Sequence, residues 1–221
     1  MSDTHHPLHR RLLRLAFRQL YTTFAFAYDA VASAVSLGEW QEWGRTAMRF
    51  LPEGTPEALA VLELAHGPGH LQLAMRQAGY RAVGLDLSPQ MSALALHRLR
   101  RAGLLSSLVR ASVFALPFPT GRFGACISTF PTEFIHSPQV LREVSRVLVE
   151  RGRFIVIPAA PLRLRSATER TVQLAYTATG QGQSRSTPSK VGDLFAQAGF
   201  EFREQRVSTQ HAVVIVWVGI K

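Results

Sequence analysis

Cysteine, lysine and aspartate are all scarce in this chain of 221 residues. The single cysteine, Cys126, excludes an internal disulfide and any metal or iron–sulfur site built from several cysteines. A single α/β domain of this length can bury a full core without such staples. No uncharged stretch reaches the roughly 18 residues that a membrane-spanning helix needs. The opening MSDTHHPLHRR has neither the apolar run nor the cleavage site of a signal peptide, so a cytoplasmic protein is expected. With 16 glycines and 12 prolines in a chain that is 47% hydrophobic, disorder and collagen-like structure are excluded as well.

What is abundant is arginine. Lys190 and Lys221 are the only lysines among the 25 basic residues, and the formal net charge is +10. Such a balance favours anionic partners, nucleic acid or a phospholipid surface, unless arginine is simply the default solvated cation. The aspartates are Asp3, Asp29, Asp86 and Asp193, which narrows the choice of an acidic ligand-binding residue.

Residues 8–28 read as a helix, with Leu13, Phe17, Leu20, Phe24 and Tyr28 on one face and Arg11, Arg14 and Arg18 on another. A second helical stretch, 30–50, carries Trp40, Trp43 and Phe50 and stops before Pro52. Strands and helices then alternate. Strands are predicted over 58–65, 80–86, 108–112, 123–129 and 153–157. Ser88-Pro89, Ser137-Pro138 and Thr187-Pro188 each supply a cap followed by proline at the first helical position. The helices predicted from these signals end near Ala102, Glu150 and Gly199, and one more covers 164–177. Two closing strands, 200–207 and 212–218, are close enough to pair antiparallel. The alternation predicts an α/β, doubly wound, mostly parallel sheet whose strand C-termini share the ligand-binding edge.

Three features fall on that edge. Val61-Leu62-Glu63-Leu64-Ala65-His66-Gly67-Pro68-Gly69-His70 is a buried strand, a glycine turn and a helix start, a site where backbone N–H groups face outward. A dinucleotide fingerprint needs a third small residue where Gln72 stands, and the Gly-Lys-Ser/Thr ending of an NTP-binding loop is missing. Asp86, 17 residues after Gly69 at the end of the second strand, is placed to accept both hydroxyls of a ribose. Ser112, Val113 and Phe114 follow the third strand.

VLELAHGPGH, AVGLDLSPQM, ASVFALPFPTGRF and VLREVSRVLVERGRFIVI, in this order and spacing over about residues 58–207, resemble class I methyltransferases dependent on S-adenosylmethionine (SAM). The branch most resembled is type 11, which includes ubiquinone/menaquinone C-methyltransferases. The resemblance implies a Rossmann-like seven-stranded sheet of order 3-2-1-4-5-7-6, its last strand antiparallel, over 51–221, with N-terminal amphipathic helices or a lid over 1–50. It implies SAM as cofactor, with S-adenosylhomocysteine as product and no metal. Glu63, Gly67 and Gly69 would line the methionine end, Asp86 the ribose, and Ser112, Val113 and Phe114 the adenine, with Leu64, Ala65, His66 and Leu87 also binding the cofactor. Met91 would pack against adenosine or serve the core, and Thr129 would lie near the transferred methyl. The chain departs from the family at Ala65, usually glycine, at Ser112, usually aspartate, and at Gly124, often aspartate.

Methyl transfer from a sulfonium is an in-line displacement, so positioning dominates, and a general base is needed only where the acceptor must lose a proton. Glu133 and His136, in the loop after the fourth strand, are the acid–base candidates, set against a solvated residue and a helix cap. His66 and His70 flank the glycine turn, and Tyr28-Asp29 resembles the lid dipeptide of type-11 enzymes, which makes Tyr28 a candidate site wall. The Asn/Asp-Pro-Pro-aromatic and Pro-Cys sequences of DNA base methyltransferases are missing, so no DNA substrate is expected. The arginine-rich helix, with Arg10, Arg11, Arg14 and Arg18, would rest on an anionic membrane at the inner face, or else pack on the domain. A small apolar or lipid-like acceptor is therefore expected, for a monomer or homodimer. An RNA or protein methyltransferase and a non-catalytic SAM-binding protein are the alternatives.

Overall fold

A computed structural model describes residues 39–52, 60–161 and 188–221. The expected helices over 8–28 and 164–177, the first part of the 30–50 helix, Thr187 and Tyr28 lie outside the described residues.

The described chain runs through α1 (Trp40–Arg45), a 3-10 turn (Thr46–Phe50), β1 (Ala60–Leu64), α2 (His70–Gln77), β2 (Ala82–Asp86) and α3 (Pro89–Arg101). It continues with β3 (Leu108–Arg110), β4 (Phe123–Thr129), a 3-10 turn (Glu133–His136), α4 (Pro138–Val147), β5 (Leu148–Ala159), α5 (Pro188–Gln197), β6 (Glu201–Ser208) and β7 (Val213–Ile220). The seven strands form one sheet in the order β3-β2-β1-β4-β5-β7-β6. Pairing is parallel from β3 across to β5, while β7 runs antiparallel to both neighbours. Fold class and strand order are those the sequence led us to expect.

Period-two alternation splits each central strand between two cores. Leu62, Leu64, Cys126, Phe154 and Val156 face α4 and α5, whose Val140, Leu141, Val144, Val191 and Phe195 are fully buried. Val61, Ala125, Ile127, Ile155 and Ile157 face Trp43, Ala47, Leu71 and Met75. With both faces covered, these strands read as continuous apolar runs, and β1 is buried at every position.

Two element ends differ from expectation. The helix expected to reach Glu150 stops at Val147, and Leu148 already pairs with Phe123 as strand. Val144, Val147 and Val149 satisfy either period, and β-branched residues favour the strand once a partner is present. The register then shifts before Arg153 pairs with Ala125, and Arg151 takes a φ of 63° within that irregularity. The third strand ends at Arg110 rather than Ser112, whose hydroxyl accepts the Phe114 N–H at 3.2 Å and starts a turn. Of the two expected serine caps, Ser88 accepts the Met91 N–H at 3.3 Å, while Ser137 makes no side-chain cap.

The glycine turn sets the spacing of α2 and α3. Gly69, at φ 80°, comes so near α3 that a Cβ on it would lie 2.6 Å from the Ala95 Cβ and 2.9 Å from its Cα. Gly69→Ala is expected to destabilise the fold by about 2–4 kcal/mol, combining the left-handed penalty with overpacking. Urea unfolding measures this, and a loss under about 1 kcal/mol would contradict the close approach.

Candidate functional site

The carboxyl edge of β1 and β2 is organised by Asp86. Its Oδ2 accepts the Gly67 N–H at 2.9 Å and its Oδ1 accepts the Ser88 N–H at 2.8 Å. One side chain thus fixes the glycine turn after β1 and the start of α3. Each carboxylate oxygen has a second lone pair, so Asp86 can still accept from a ligand diol. Above the turn there is room: a Cβ on Gly67, at φ 52°, would meet nothing within 4 Å. Ala65 adopts a φ of 54°, a conformation that costs an L-residue roughly 1–2 kcal/mol. That is where the family usually has glycine, and the turn keeps its shape although strained.

Two large apolar side chains stand in solvent at the same edge. Leu87, next to Asp86, is 65% exposed, and Phe114, after β3, is 42% exposed. Exposed apolar residues beside a ribose-type carboxylate suit the flat faces of a nucleobase. The segment carrying Phe114 is strapped to α4. Gln139 donates to the Phe114 carbonyl at 2.9 Å, and Glu143 accepts the Leu116 N–H at 2.7 Å. Arg146 donates to the Phe118 and Leu116 carbonyls at 2.7 and 3.0 Å and to both Glu143 oxygens at 2.8 Å. The Arg146 bonds hold the Glu143 carboxyl below its ordinary value, and Glu143 in turn raises Arg146.

Beneath the turn lies a buried polar cluster. Glu63 is 2% exposed, and its Oε2 accepts the Gln72 Nε2–H at 2.8 Å. Burial pushes the Glu63 carboxyl up to about 8, against the Gln72 bond and with the charge of Asp86 adding to the rise. His66 is buried, which lowers its titration, and its Nδ1 lies 2.7 Å from the Gly67 carbonyl. As that oxygen can only accept, Nδ1 carries the proton. Gln72 counted in the sequence only as the residue that spoils a dinucleotide fingerprint; here it is the partner of Glu63. A glutamine on the buried face of the helix after a buried glutamate is the signal that could have found it.

The remaining candidates are distributed as follows. Leu64 is buried, and its carbonyl accepts from Ser128 Oγ at 3.2 Å. Met91 is 1% exposed in the first turn of α3, Val113 is half-buried, and Thr129 ends β4 with its methyl facing Gly44 of α1. Glu133 is exposed, and the His136 ring packs edge-on against Trp217 at 6.1 Å, where burial lowers its titration. Trp43 is buried, as expected of a packing residue, and with Trp40 it brackets Phe130, the residue after Thr129, at ring distances of 6.5 and 6.2 Å. Trp40 also meets His70 edge-on at 5.4 Å. α1 therefore lies across the β1–β4 end of the edge, beside the glycine turn.

The strand order is that of the class I methyltransferase fold. Residues 62–156 match the type-11 family model described as a methyltransferase domain. The chain is similar to demethylmenaquinone methyltransferase from Thermus thermophilus, 32% identical over 145 residues that cover 64% of this chain and 65% of that protein. It is also similar to a ubiquinone/menaquinone biosynthesis C-methyltransferase from Syntrophotalea carbinolica, 34% identical over 66% of this chain and 63% of that one. The chain thus spans a little under two thirds of the length of these relatives. Among solved structures it shares its fold with magnesium protoporphyrin IX methyltransferase from Synechocystis with bound S-adenosylhomocysteine, at TM-score 0.67 and 14% identity over 95% and 99% of the two chains.

S-adenosylmethionine is the cofactor this site fits. Asp86, with its remaining lone pairs, would hold the ribose, the open space over Gly67 would admit the nucleoside, Leu87 and Phe114 would face the adenine, and Glu63 would lie towards the methionine end. When bound, the cofactor supplies an electrophilic methyl group on a sulfonium.

Glu63 gives the site a measurable pH dependence. Its folded value is raised above an unfolded value of 4.5, so the folded chain keeps a proton that the unfolded chain releases. That contribution to stability is lost as pH rises from 4.5 towards about 8. Glu63→Gln cannot ionise and is expected to flatten this slope, with a melting temperature above wild type in alkaline buffer. A slope identical to wild type would contradict a neutral buried Glu63.

Proposed function

We propose that this protein transfers the methyl group of SAM to a small, apolar ring acceptor of the quinol type, by in-line displacement and with S-adenosylhomocysteine as product. The observation that carries the reading is the adjacency at one sheet edge of the Asp86-braced glycine turn and the aromatic group Trp40, Phe130 and His70. The first binds a nucleoside-type donor, and the second offers apolar and edge-on surfaces for a flat ring. Phe130 holds a φ of 49°, with its N–H donated to the Ile157 carbonyl at 2.7 Å. Strain of this kind gathers where a side chain must be presented to a ligand.

Similarity at about 30% identity to proteins named for demethylmenaquinone methylation supports a lipid-like quinol. No helix among the described residues is long and apolar enough to cross a membrane. A lipid-like acceptor would therefore be met at a bilayer surface, the role we assign to the arginine-rich segment 8–28.

The test supplies methyl-labelled SAM and a short-chain demethylmenaquinol in detergent. Label is expected in the organic-extractable ring. SAM binding with no label in the quinol would contradict the acceptor, and label in RNA or in protein would replace it with the corresponding macromolecular substrate.

A further inference from the structure

The acid–base residues expected from sequence were Glu133 and His136, yet the aromatic wall beside the glycine turn adjoins a different pair. Glu39 opens α1, and its Oε1 lies 2.7 Å from Nδ1 of His211 in the β6–β7 turn. The other oxygen, Oε2, accepts the Trp43 Nε1–H at 3.0 Å and the Thr209 hydroxyl at 3.4 Å. Burial opposes ionisation of Glu39, but the bonds from His211, Trp43 and Thr209 outweigh it and hold the carboxyl below its ordinary value. A carboxylate only accepts, so the His211 Nδ1 donates in this contact and Nε2 is the ring nitrogen left to face another partner.

The pair is held in place from both ends. Within the turn, the Ala212 N–H reaches the Thr209 Oγ at 3.1 Å and the Thr209 N–H reaches the Ala212 carbonyl at 2.9 Å. The Val213 N–H donates to the Pro161 carbonyl at 3.0 Å, which pins the turn just beyond the end of β5. On the other side Trp43, bonded to Glu39, packs on Phe130 at the end of β4. The imidazole thus sits at the β5–β7 end of the carboxyl edge, linked through Glu39 and Trp43 to Phe130 of the wall assigned to the acceptor, with its side chain 33% exposed.

We infer that His211, oriented by Glu39, is the general base that removes the acceptor's hydroxyl proton. This rests on the quinol reading of the previous section. The ring O–H proton passes to Nε2, the electron-rich ring carbon takes the methyl, and the sulfonium leaves as a neutral thioether. The hydrogen on the methylated carbon then departs to solvent while the oxygen recovers its proton from His211, so one proton is released for each methyl transferred. Glu39 acts through His211 and is a positioning residue. It is the charged group that faces the imidazole from α1, and Thr209 and Ala212 of the same turn carry no charge.

The experiment compares wild type, His211→Gln and Glu39→Gln in three readouts. Bound with S-adenosylhomocysteine, a nitronaphthol probe reports ionisation by its absorbance below its own titration point. Wild type should raise the ionised fraction, and both variants should lose that rise. In turnover of demethylmenaquinol, His211→Gln should lower kcat about 100-fold or more with little change in KM, abolish the acid limb of the rate profile and regain activity with added imidazole. SAM affinity by calorimetry should stay at the wild-type value in both variants. An unchanged probe signal in His211→Gln, or a kcat within a few-fold of wild type, overturns the assignment. Ionisation of the nitronaphthol by wild type but not by His211→Gln, with no turnover of the quinol, would support the base and contradict only the acceptor.

Discussion

The carboxylate of Asp86 holding the amides of Gly67 and Ser88 is the interaction on which the site depends. It joins the turn after β1, 19 residues before it, to the start of α3, and both segments would otherwise leave backbone donors unpaired. With the turn fixed, Gly69 can approach Ala95 and set the spacing of α2 against α3. The helix cap at Ser88 follows from the same arrangement. Removing this one side chain would release both segments at once and take away the carboxylate proposed to hold the ribose, so the architecture and the proposed binding chemistry rest on the same atoms.

A second constraint reaches the site from the opposite face of the sheet. The crossover from β3 to β4 contains no helix; Leu116 fills the core there and the chain is tied to α4 through Gln139, Glu143 and Arg146. Arg146 satisfies two carbonyls and the Glu143 carboxylate together, a planar donor fork matched to several acceptors. The strap offsets the backbone cost of an irregular crossover and presents Phe114 at the carboxyl edge. At the β1–β4 end of the edge α1 is fixed in the same manner, by Glu39 reaching the β6–β7 turn. Both walls of the site are therefore held by side chains on elements distant in sequence.

Much of this is legible in the amino-acid sequence. Alternating apolar runs and the Ser-Pro signals at 88–89 and 137–138 locate the strands and helices, because local propensity and tertiary packing agree there. The glycine turn and Asp86 were legible for the same reason: few residue types satisfy a tight turn and a strand-end carboxylate. The end of α4 was not, since Val147 and Leu148 suit either period and pairing with Phe123 decides between them. The Glu63–Gln72 bond and the Glu39–His211 pair leave no local trace either. The latter joins residues 172 positions apart, and only the sheet order, with β7 beside β5, brings them to one edge. Glu133 and His136 are legible as candidates from their position after β4, while the contact of the His136 ring with Trp217 is set by the distant strand β7 and leaves no local trace.

The central claim is that the edge built around Asp86 binds SAM. Calorimetric titration of SAM, S-adenosylhomocysteine and NADH into wild type and Asp86→Asn tests it most directly. Asparagine keeps one acceptor for the Gly67 or Ser88 amide but loses the charge-assisted contacts to the ribose. Micromolar binding of SAM and S-adenosylhomocysteine, no binding of NADH, and a weakening of at least about tenfold in Asp86→Asn, roughly 1.4 kcal/mol, is the result predicted. Equal affinity of wild type and Asp86→Asn for SAM, or no binding to folded wild type, would contradict the account.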